Sequence, residues 1–324
     1  MGAKQKIYIT RRIPQPGIDY LSERFEVEVN PEDRVLRREE LLEAVKSADG
    51  ILCLLTDKID AEFFDAAQNL KGVANYAVGY DNIDVPEASR RRIPVSNTPG
   101  VLTDATAEMA WTLLFSVARR VVESDAHIRS GAWGGWGPLQ FIGGDVSGKT
   151  LGVVGTGRIG TAMALKSQGF NMKVIYTDIA DNPVLDEKCN ARRVTFDTLL
   201  SESDFISIHV PLMESTRHLF KADTFNKMKS SAYLINTSRG PVIHEADLVQ
   251  ALKNNELAGA GLDVYENEPA MAAGLADQVN TVLTPHTASA TEEARTNMAL
   301  KAARNLSSML EGVTPPDCVN TEIL

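Results

Sequence analysis

Arg239, Glu268 and His286 supply a cation, a carboxylate and an imidazole. Each lies in a short segment that reads as the loop after a β-strand: Asn236-Thr237-Ser238-Arg239-Gly240, Tyr265-Glu266-Asn267-Glu268-Pro269 and Thr284-Pro285-His286-Thr287. If these loops meet at the C-terminal edge of one sheet, Glu268 can fix the tautomer of His286 and favour its protonated form. The imidazolium can then protonate a carbonyl oxygen as hydride reaches the carbon. Arg239 can grip a substrate carboxylate and polarise the carbonyl through a fork geometry that lysine lacks. The set suits hydride transfer between NAD(P)H and the carbonyl carbon of a 2-oxo acid. Taken singly, each residue also fits an ordinary solvated or structural loop position, so the reading depends on convergence.

Upstream, Gly155-Thr156-Gly157-Arg158-Ile159-Gly160 ends the run Thr150-Leu151-Gly152-Val153-Val154 and opens a helical pattern. There the first glycine permits the tight turn, the second lets the backbone approach a pyrophosphate, and the third lets helix and strand pack closely. The phosphates would sit on N–H groups at the helix N-terminus. Asp178 follows the next predicted strand, where a carboxylate binds ribose hydroxyls and repels a 2′-phosphate. Neither Thr177 nor Ile179 adds a cation, so NAD is expected over NADP. The plainer alternatives are a simple strand–helix turn and an ordinary exposed aspartate.

The elements that must carry these loops follow a repeating β/α pattern. Strands are predicted over 6–10, 25–29, 50–55 and 72–77, with helices over 14–24, 37–46 and 61–67. The 50–55 run is continuously apolar, as a parallel strand buried on both faces should be. A loop at Asn97-Thr98-Pro99-Gly100 leads into a long predicted helix over 101–120. Its apolar residues (Ala105, Met109, Trp111, Leu113, Leu114, Phe115, Val117) go nearly all the way round. It should therefore be buried on several sides, bridging two domains or two subunits. Residues 130–144, with Trp133 and Trp136, read as an irregular loop. A second pattern places strands over 150–154, 173–177, 205–209, 232–236, 259–264 and 281–284. Helices are predicted over 158–168, 245–254 and 291–310. Alternation of this kind predicts α/β domains with parallel sheets. Among the other histidines, His209 reads as structural, His127 and His218 as surface or helix residues, and His244 as a helix cap or solvent-facing residue.

The bulk numbers agree with a two-domain globular chain: 324 residues, 44% hydrophobic, 23% charged. A net charge of −10, with Arg90-Arg91-Arg92 as the one basic run, argues against nucleic acid or an anionic membrane as partner. Cys53, Cys189 and Cys318 are too scattered for a zinc site or a disulfide framework, and no metal is expected. The start, residues 1–6, has no apolar region behind it, so no signal peptide is expected. The apolar stretch 109–118 is too short to span a bilayer. A soluble, cytoplasmic protein is expected.

The chain resembles the D-isomer-specific 2-hydroxyacid dehydrogenase family over nearly its full length. The resemblance is carried by Val78-Gly79-Tyr80-Asp81-Asn82-Ile83-Asp84, by Asn97-Thr98-Pro99-Gly100-Val101-Leu102-Thr103-Asp104, and by the glycine motif. His209-Val210-Pro211-Leu212, residues 236–242, residues 261–269 and Pro285-His286 extend it. Leu52-Cys53-Leu54-Leu55-Thr56-Asp57, residues 101–108 and Gly131-Ala132-Trp133-Gly134-Gly135-Trp136 make it most similar to the glyoxylate/hydroxypyruvate reductase branch.

The resemblance implies two Rossmann-like or flavodoxin-like parallel-sheet domains with a cleft between them. Residues 1–99 plus 289–324 would form the substrate-binding domain, and 100–288 the NAD-binding Rossmann domain. It implies Arg239, Glu268 and His286 as catalytic residues. Leu54, Val78 and Gly79, with Arg239 and His286, are implied to bind substrate, the amides near Val78 and Gly79 holding its carboxylate. For the cofactor it implies Thr106, Val210, Pro211, Thr216, Thr237, Ser238 and Asp263 beside residues 155–160 and Asp178. A homodimer is implied, with the 101–120 helix and the following loop at the interface.

Three departures stand out. Thr287 and Ala288 replace the usual Ile-Gly pair after the histidine, and alanine restricts the backbone there. His244 stands where an acid is common, and Gln140 where several hydroxypyruvate-reducing relatives have a bulky aromatic. The expected activity is NADH-dependent reduction of a small 2-oxo acid, such as glyoxylate or hydroxypyruvate, to the D-2-hydroxy acid. The alternatives are another dehydrogenase of the family, acting on D-lactate or phosphoglycerate, and a non-catalytic, NAD-sensing protein of corepressor type. Glutamate rather than glutamine beside the histidine argues against the formate enzymes.

Overall fold

Short runs of β-branched and aliphatic residues make strands buried on both faces, and the amphipathic stretches between them carry the chain back to the next parallel strand. The computed structural model describes residues 4–324; Met1, Gly2 and Ala3, part of the segment read for a signal peptide, lie outside the described residues.

One unit runs up to Leu102 and resumes over Ala290–Leu324. Its strands are β1 (Lys6–Ile9), β2 (Glu26–Val29), β3 (Gly50–Cys53), β4 (Gly72–Asn75) and β5 (Val95–Ser96). All pair in parallel, in the order β2-β1-β3-β4-β5. The winding reverses between β1 and β3, and in such sheets ligands collect outside the carboxyl ends of the strands. The core gathers Val45, Ile51, Ile59, Phe63, Phe64 and Val73. The Glu292–Leu310 helix belongs to this unit. Its start is fixed by the Thr291 hydroxyl, which accepts from the Ala294 amide, and by Glu292 and Glu293 in the first turn.

The other unit, Thr103–Ser289, holds β6 (Thr150–Val154), β7 (Lys173–Thr177), β8 (Arg192–Arg193), β9 (Phe205–Ile208), β10 (Tyr233–Asn236), β11 (Gly259–Leu262) and β12 (Thr281–Leu283). This sheet is parallel too, in the order β12-β11-β10-β9-β6-β7-β8. Its winding reverses between β6 and β9, so that edge of the sheet is the expected ligand crevice. The expected α/β class with two parallel sheets is what the chain adopts.

Three features differ from the sequence reading. The predicted 101–120 helix spans Thr103–Ala118, and Arg120 takes a left-handed backbone (φ 54°) that ends its run. A separate helix, Val121–Arg129, follows; it buries no residue, so no apolar periodicity announces it. The Thr103–Ala118 helix is also not apolar all round. Asp104, Glu108 and Thr112, four residues apart, are exposed along it, and Lys166 reaches Asp104 at 3.0 Å and Glu108 at 3.6 Å. Among the described residues, no helix is long and apolar enough to cross a membrane, and no group of three or more His, Cys, Asp or Glu could hold a metal ion.

Candidate active site

Register places the three chemical loops together. Asn236 pairs with Leu262 across β10 and β11, and Leu262 pairs with Leu283 across β11 and β12. The segments bearing Arg239, Glu268 and His286 therefore leave three adjacent parallel strands at one edge. Gly240 lets two of them touch: a Cβ there would fall 1.8 Å from the Tyr265 carbonyl oxygen, so any other residue would push the Arg239 loop away from the Glu268 loop. Asn236 closes the first loop. Its Nδ2 donates to the Arg239 carbonyl at 2.9 Å, and its Oδ1 accepts from the Ser238 amide at 3.0 Å and hydroxyl at 2.9 Å.

His286 Nδ1 lies 2.9 Å from Glu268 Oε2, with the two side chains 25% and 31% exposed. The other Glu268 oxygen accepts from the Tyr265 amide at 3.0 Å. Burial alone would raise the Glu268 carboxyl. The hydrogen bond and charge of His286, the Tyr265 amide and the nearby Arg239 outweigh it and hold the group below the usual carboxylate range. Glu268 is thus a fixed negative charge against Nδ1, which leaves Nε2 as the nitrogen that can hand over a proton.

Asp263 sets the histidine loop. It is fully buried; Oδ1 accepts from the Thr284 hydroxyl at 2.6 Å and the Thr287 amide at 2.8 Å, and Oδ2 from the Ala288 amide at 2.7 Å. The left-handed residue of this loop is His286 (φ 54°), not Ala288. Alanine in place of glycine therefore carries no backbone strain, and Thr287 spends its amide on Asp263.

The cofactor loops leave the same sheet edge, after β6, β7, β9 and β10. Gly155 has φ 89°, and a Cβ there would come within 2.8 Å of Val210 Cγ1 and 2.9 Å of the His209 carbonyl carbon. The Arg158–Lys166 helix has no side-chain N-cap, so its first amides are left for an anion. Thr237 Oγ1, just after β10, is buried without a hydrogen-bond partner among the described residues. Asp178 Oδ2 accepts from the Thr156 amide at 2.6 Å and hydroxyl at 3.0 Å, and Oδ1 from the Ile179 amide at 2.6 Å. Burial would raise this carboxyl, but the bonds from Thr156, Ile179 and Ala180 hold it low and ionised. Ile179 beside it is 98% exposed. These residues fit a dinucleotide.

The chain matches the family described as "D-isomer specific 2-hydroxyacid dehydrogenase, NAD binding domain" over residues 111–288. The glyoxylate reductase of Thermococcus litoralis is 49% identical over 99% of this chain and 98% of its own length. Among solved structures, the TT0316 protein of Thermus thermophilus superposes with a TM-score of 0.92 at 41% identity, covering 97% of this chain and 100% of that one. An NADPH-dependent glyoxylate/hydroxypyruvate reductase of Sinorhizobium meliloti gives 0.85 at 31%, covering 98% of each. The chain belongs to the D-isomer specific 2-hydroxyacid dehydrogenase family. It is an oxidoreductase with that family's NAD-binding domain.

In this dehydrogenase the remaining site candidates fall as follows. Thr216 shapes the loop after β9, its hydroxyl donating to the Pro211 carbonyl at 2.6 Å and accepting from the Met213 amide at 2.8 Å. Thr106 is buried in the Thr103–Ala118 helix rather than on one of the strand-end loops. Burial pushes His209 down to about 4, and with Ser207 Oγ 2.8 Å from its Nε2 it is a neutral, structural imidazole. His244 occupies the N-cap position of the Glu245–Lys253 helix without a side-chain cap hydrogen bond; its ring sits 3.0 Å from Asp247 and edge-on to His218, at 4.8 Å between rings. His218 in turn lies 2.6 Å from Glu266. Gln140 is exposed.

In the first unit, Leu54 follows β3, and Val78 and Gly79 follow β4, adjacent parallel strands. Carboxamides, buried at Asn75 and half-buried at Asn82 and Asn97, set both loops, a role the sequence reading missed. Asn75 Nδ2 donates to the Gly79 carbonyl at 2.9 Å and to Asn82 Oδ1 at 3.2 Å. Asn82 Nδ2 donates to the carbonyls of Leu54 at 3.1 Å and Asp57 at 3.0 Å. Asn97 Nδ2 holds the Val78 carbonyl at 2.7 Å, and the Thr98 amide that of Ala77 at 2.9 Å. A second missed residue stands in the NAD-binding unit: Arg193, whose Nε and Nη2 donate to the Asp178 carbonyl at 3.2 and 2.8 Å.

Proposed function

We propose that this dehydrogenase reduces a small 2-oxo acid, glyoxylate or hydroxypyruvate, to the D-2-hydroxy acid with NADH as the preferred cofactor. The observation that carries the reading is the His286–Glu268 pair at 2.9 Å, with Arg239 close enough to help keep Glu268 ionised. When bound, NADH supplies the hydride that reaches the carbonyl carbon. His286 Nε2 gives its proton to the carbonyl oxygen, and Glu268 stabilises the imidazolium before that transfer. Arg239 binds the carboxylate and polarises the carbonyl. Leu54 and the amides of Val78 and Gly79 serve the substrate, in the unit that includes residues 290–324. Residues 155–160, Asp178, Val210, Pro211, Thr216, Thr237, Ser238, Asp263 and Thr106 serve the cofactor, by contact or by shaping its loops. The names of the relatives support the substrate class, and Asp178 supports NADH.

A homodimer is part of the proposal. Val121, Val122, Ile128, Trp133, Trp136, Leu139 and Ile142 are all exposed along one stretch of chain, apolar surface of the kind a second copy covers. Light scattering on the eluting protein should give twice the chain mass.

The activity test follows NADH oxidation at its absorbance band with glyoxylate, hydroxypyruvate, pyruvate and phosphohydroxypyruvate. Fast turnover of either of the first two is expected. Silence with all four while NADH still binds would sink the proposed reaction.

A further inference from the structure

β8 is only two residues long, yet it sets a cation at the ribose edge. Tyr176 pairs with Arg193 across β7 and β8, so Arg193 stands beside the strand that Asp178 follows. Its Nε and Nη2 both donate to the Asp178 carbonyl, at 3.2 and 2.8 Å, and Nη1 pairs with Asp181 Oδ1 at 2.9 Å. A guanidinium has five N–H donors, and these contacts use three. One N–H remains on each terminal nitrogen. The side chain is 39% exposed and its Asp181 partner 70%, so that ion pair is weak and exchangeable.

Building on the family's NAD-binding assignment, we infer that Asp178 and Arg193 act as an opposed pair that grades cofactor choice. The Asp178 carboxylate selects the 2′-hydroxyl of NADH, and the Arg193 guanidinium, released from Asp181, receives the 2′-phosphate of NADPH. Asp178 alone would repel that phosphate. Arg193, planar, permanently charged and fixed on the same backbone carbonyl, offsets the repulsion with two donors spaced for phosphate oxygens. NADPH is then a disfavoured but usable cofactor, and Arg193 is a specificity-determining residue. Asp181 competes with the phosphate for the same guanidinium, so it belongs to the device as well.

The test titrates the full chain with NADH and with NADPH, following nicotinamide fluorescence, for the wild type, Arg193→Ala, Arg193→Lys, Asp178→Ser and the Asp178→Ser/Arg193→Ala double variant. Arg193→Ala should raise the ratio of NADPH to NADH dissociation constants about tenfold, the size of one lost charge-assisted contact. Arg193→Lys should recover part of it as a point charge. Asp178→Ser should narrow the ratio, and in that background Arg193→Ala should raise it by clearly more than in the wild type, because the phosphate, no longer repelled, sits closer to the guanidinium; a merely structural arginine would not produce this non-additivity. An unchanged ratio in Arg193→Ala, or additive effects in the double variant, overturns the inference. A wild type that binds neither nucleotide overturns the NAD(P) reading as well.

Discussion

The two parallel sheets prepare their carboxyl edges with different balances of donor and acceptor, although each also holds one loop the other way: Asp57 Oδ2 accepts from the Leu54 amide in the first unit, and Asn236 Nδ2 donates to the Arg239 carbonyl in the second. In the first unit, carboxamide donors hold loop carbonyls: Asn75 on Gly79, Asn97 on Val78, Asn82 on Leu54 and Asp57. The amides of Val78, Gly79 and Tyr80 have no protein acceptor among the described residues. In the NAD-binding unit, carboxylate acceptors hold loop amides: Asp263 on Thr287 and Ala288, Asp178 on Thr156 and Ile179, Glu268 on Tyr265. Holding a loop by its carbonyls leaves N–H groups for an anion. Holding it by its amides consumes them and adds fixed negative charge, which suits a proton donor and ribose hydroxyls. On the proposed reading, equivalent sheet geometry serves as an anion cradle on one sheet and a proton-handling edge on the other, with the balance tipped by Asn75, Asn82 and Asn97 against Asp178, Asp263 and Glu268.

The largest effect expected is from His286→Ala. Turnover should drop roughly a hundredfold or more, the usual size of acid–base catalysis, while NADH affinity measured by fluorescence holds. Parallel losses in both would mean that the imidazole shapes the cofactor site rather than handling the proton. Asp263→Ala comes next. It orphans two amides and a hydroxyl at about 1–3 kcal/mol for a buried unsatisfied group, so the melting temperature should fall by several degrees and kcat with it. A variant as stable and active as the parent would remove Asp263 from the comparison.

On the other sheet, Asn75→Ala and Asn82→Ala should raise the KM for the 2-oxo acid roughly tenfold, about 1.4 kcal/mol, with little change in kcat or NADH affinity. Should kcat fall instead, the carboxamides serve stability and not the anion cradle. Glu268→Gln keeps a hydrogen bond and removes the charge. Turnover in reduction should fall roughly tenfold with NADH affinity unchanged, since the imidazolium loses the charge that faces it. Unchanged turnover would make Glu268 a steric prop.

The smallest effect concerns acid. The Asp178 and Glu268 carboxyls lie below their unfolded values of about 3.9 and 4.3. Their contributions are complete above those values and are lost as pH falls through the depressed folded ones. NADH affinity should therefore stay level down to about pH 4 and weaken only below. A decline that begins near neutrality would point to a different ribose contact.

Arg239, Glu268 and His286 were legible because each follows a run of strand residues closely, and adjacent parallel strands deliver such loops to one edge. Asp178 was legible for the same reason. Arg193 was not, because a two-residue strand has no period and its partner lies 15 residues away. Asn75 and Asn82 were hidden differently: one falls inside the strand predicted over 72–77 and the other is part of a motif, and only the fold shows which carbonyls they hold. The Val121–Arg129 helix escaped because it buries nothing, and the polar stripe of the Thr103–Ala118 helix was obscured by the small apolar residues around it.

One further consequence lies in the order of synthesis. The hydroxyl of Tyr76 donates to the carbonyl of Arg295, 219 residues downstream. Leu306 and Met309 lie against Gly50 and Gly72, and Asn320 satisfies the backbone of Ile93 and Val95. The strands of the first sheet thus emerge from the ribosome long before the helix that covers them. The Thr103–Ser289 unit has all its parts while its neighbour still waits for a lid, so on a growing chain it should be the first to fold. Released chains truncated after Ser289 should display a protease-resistant NAD-binding unit joined to a first sheet with an uncovered apolar face, a natural target for chaperones.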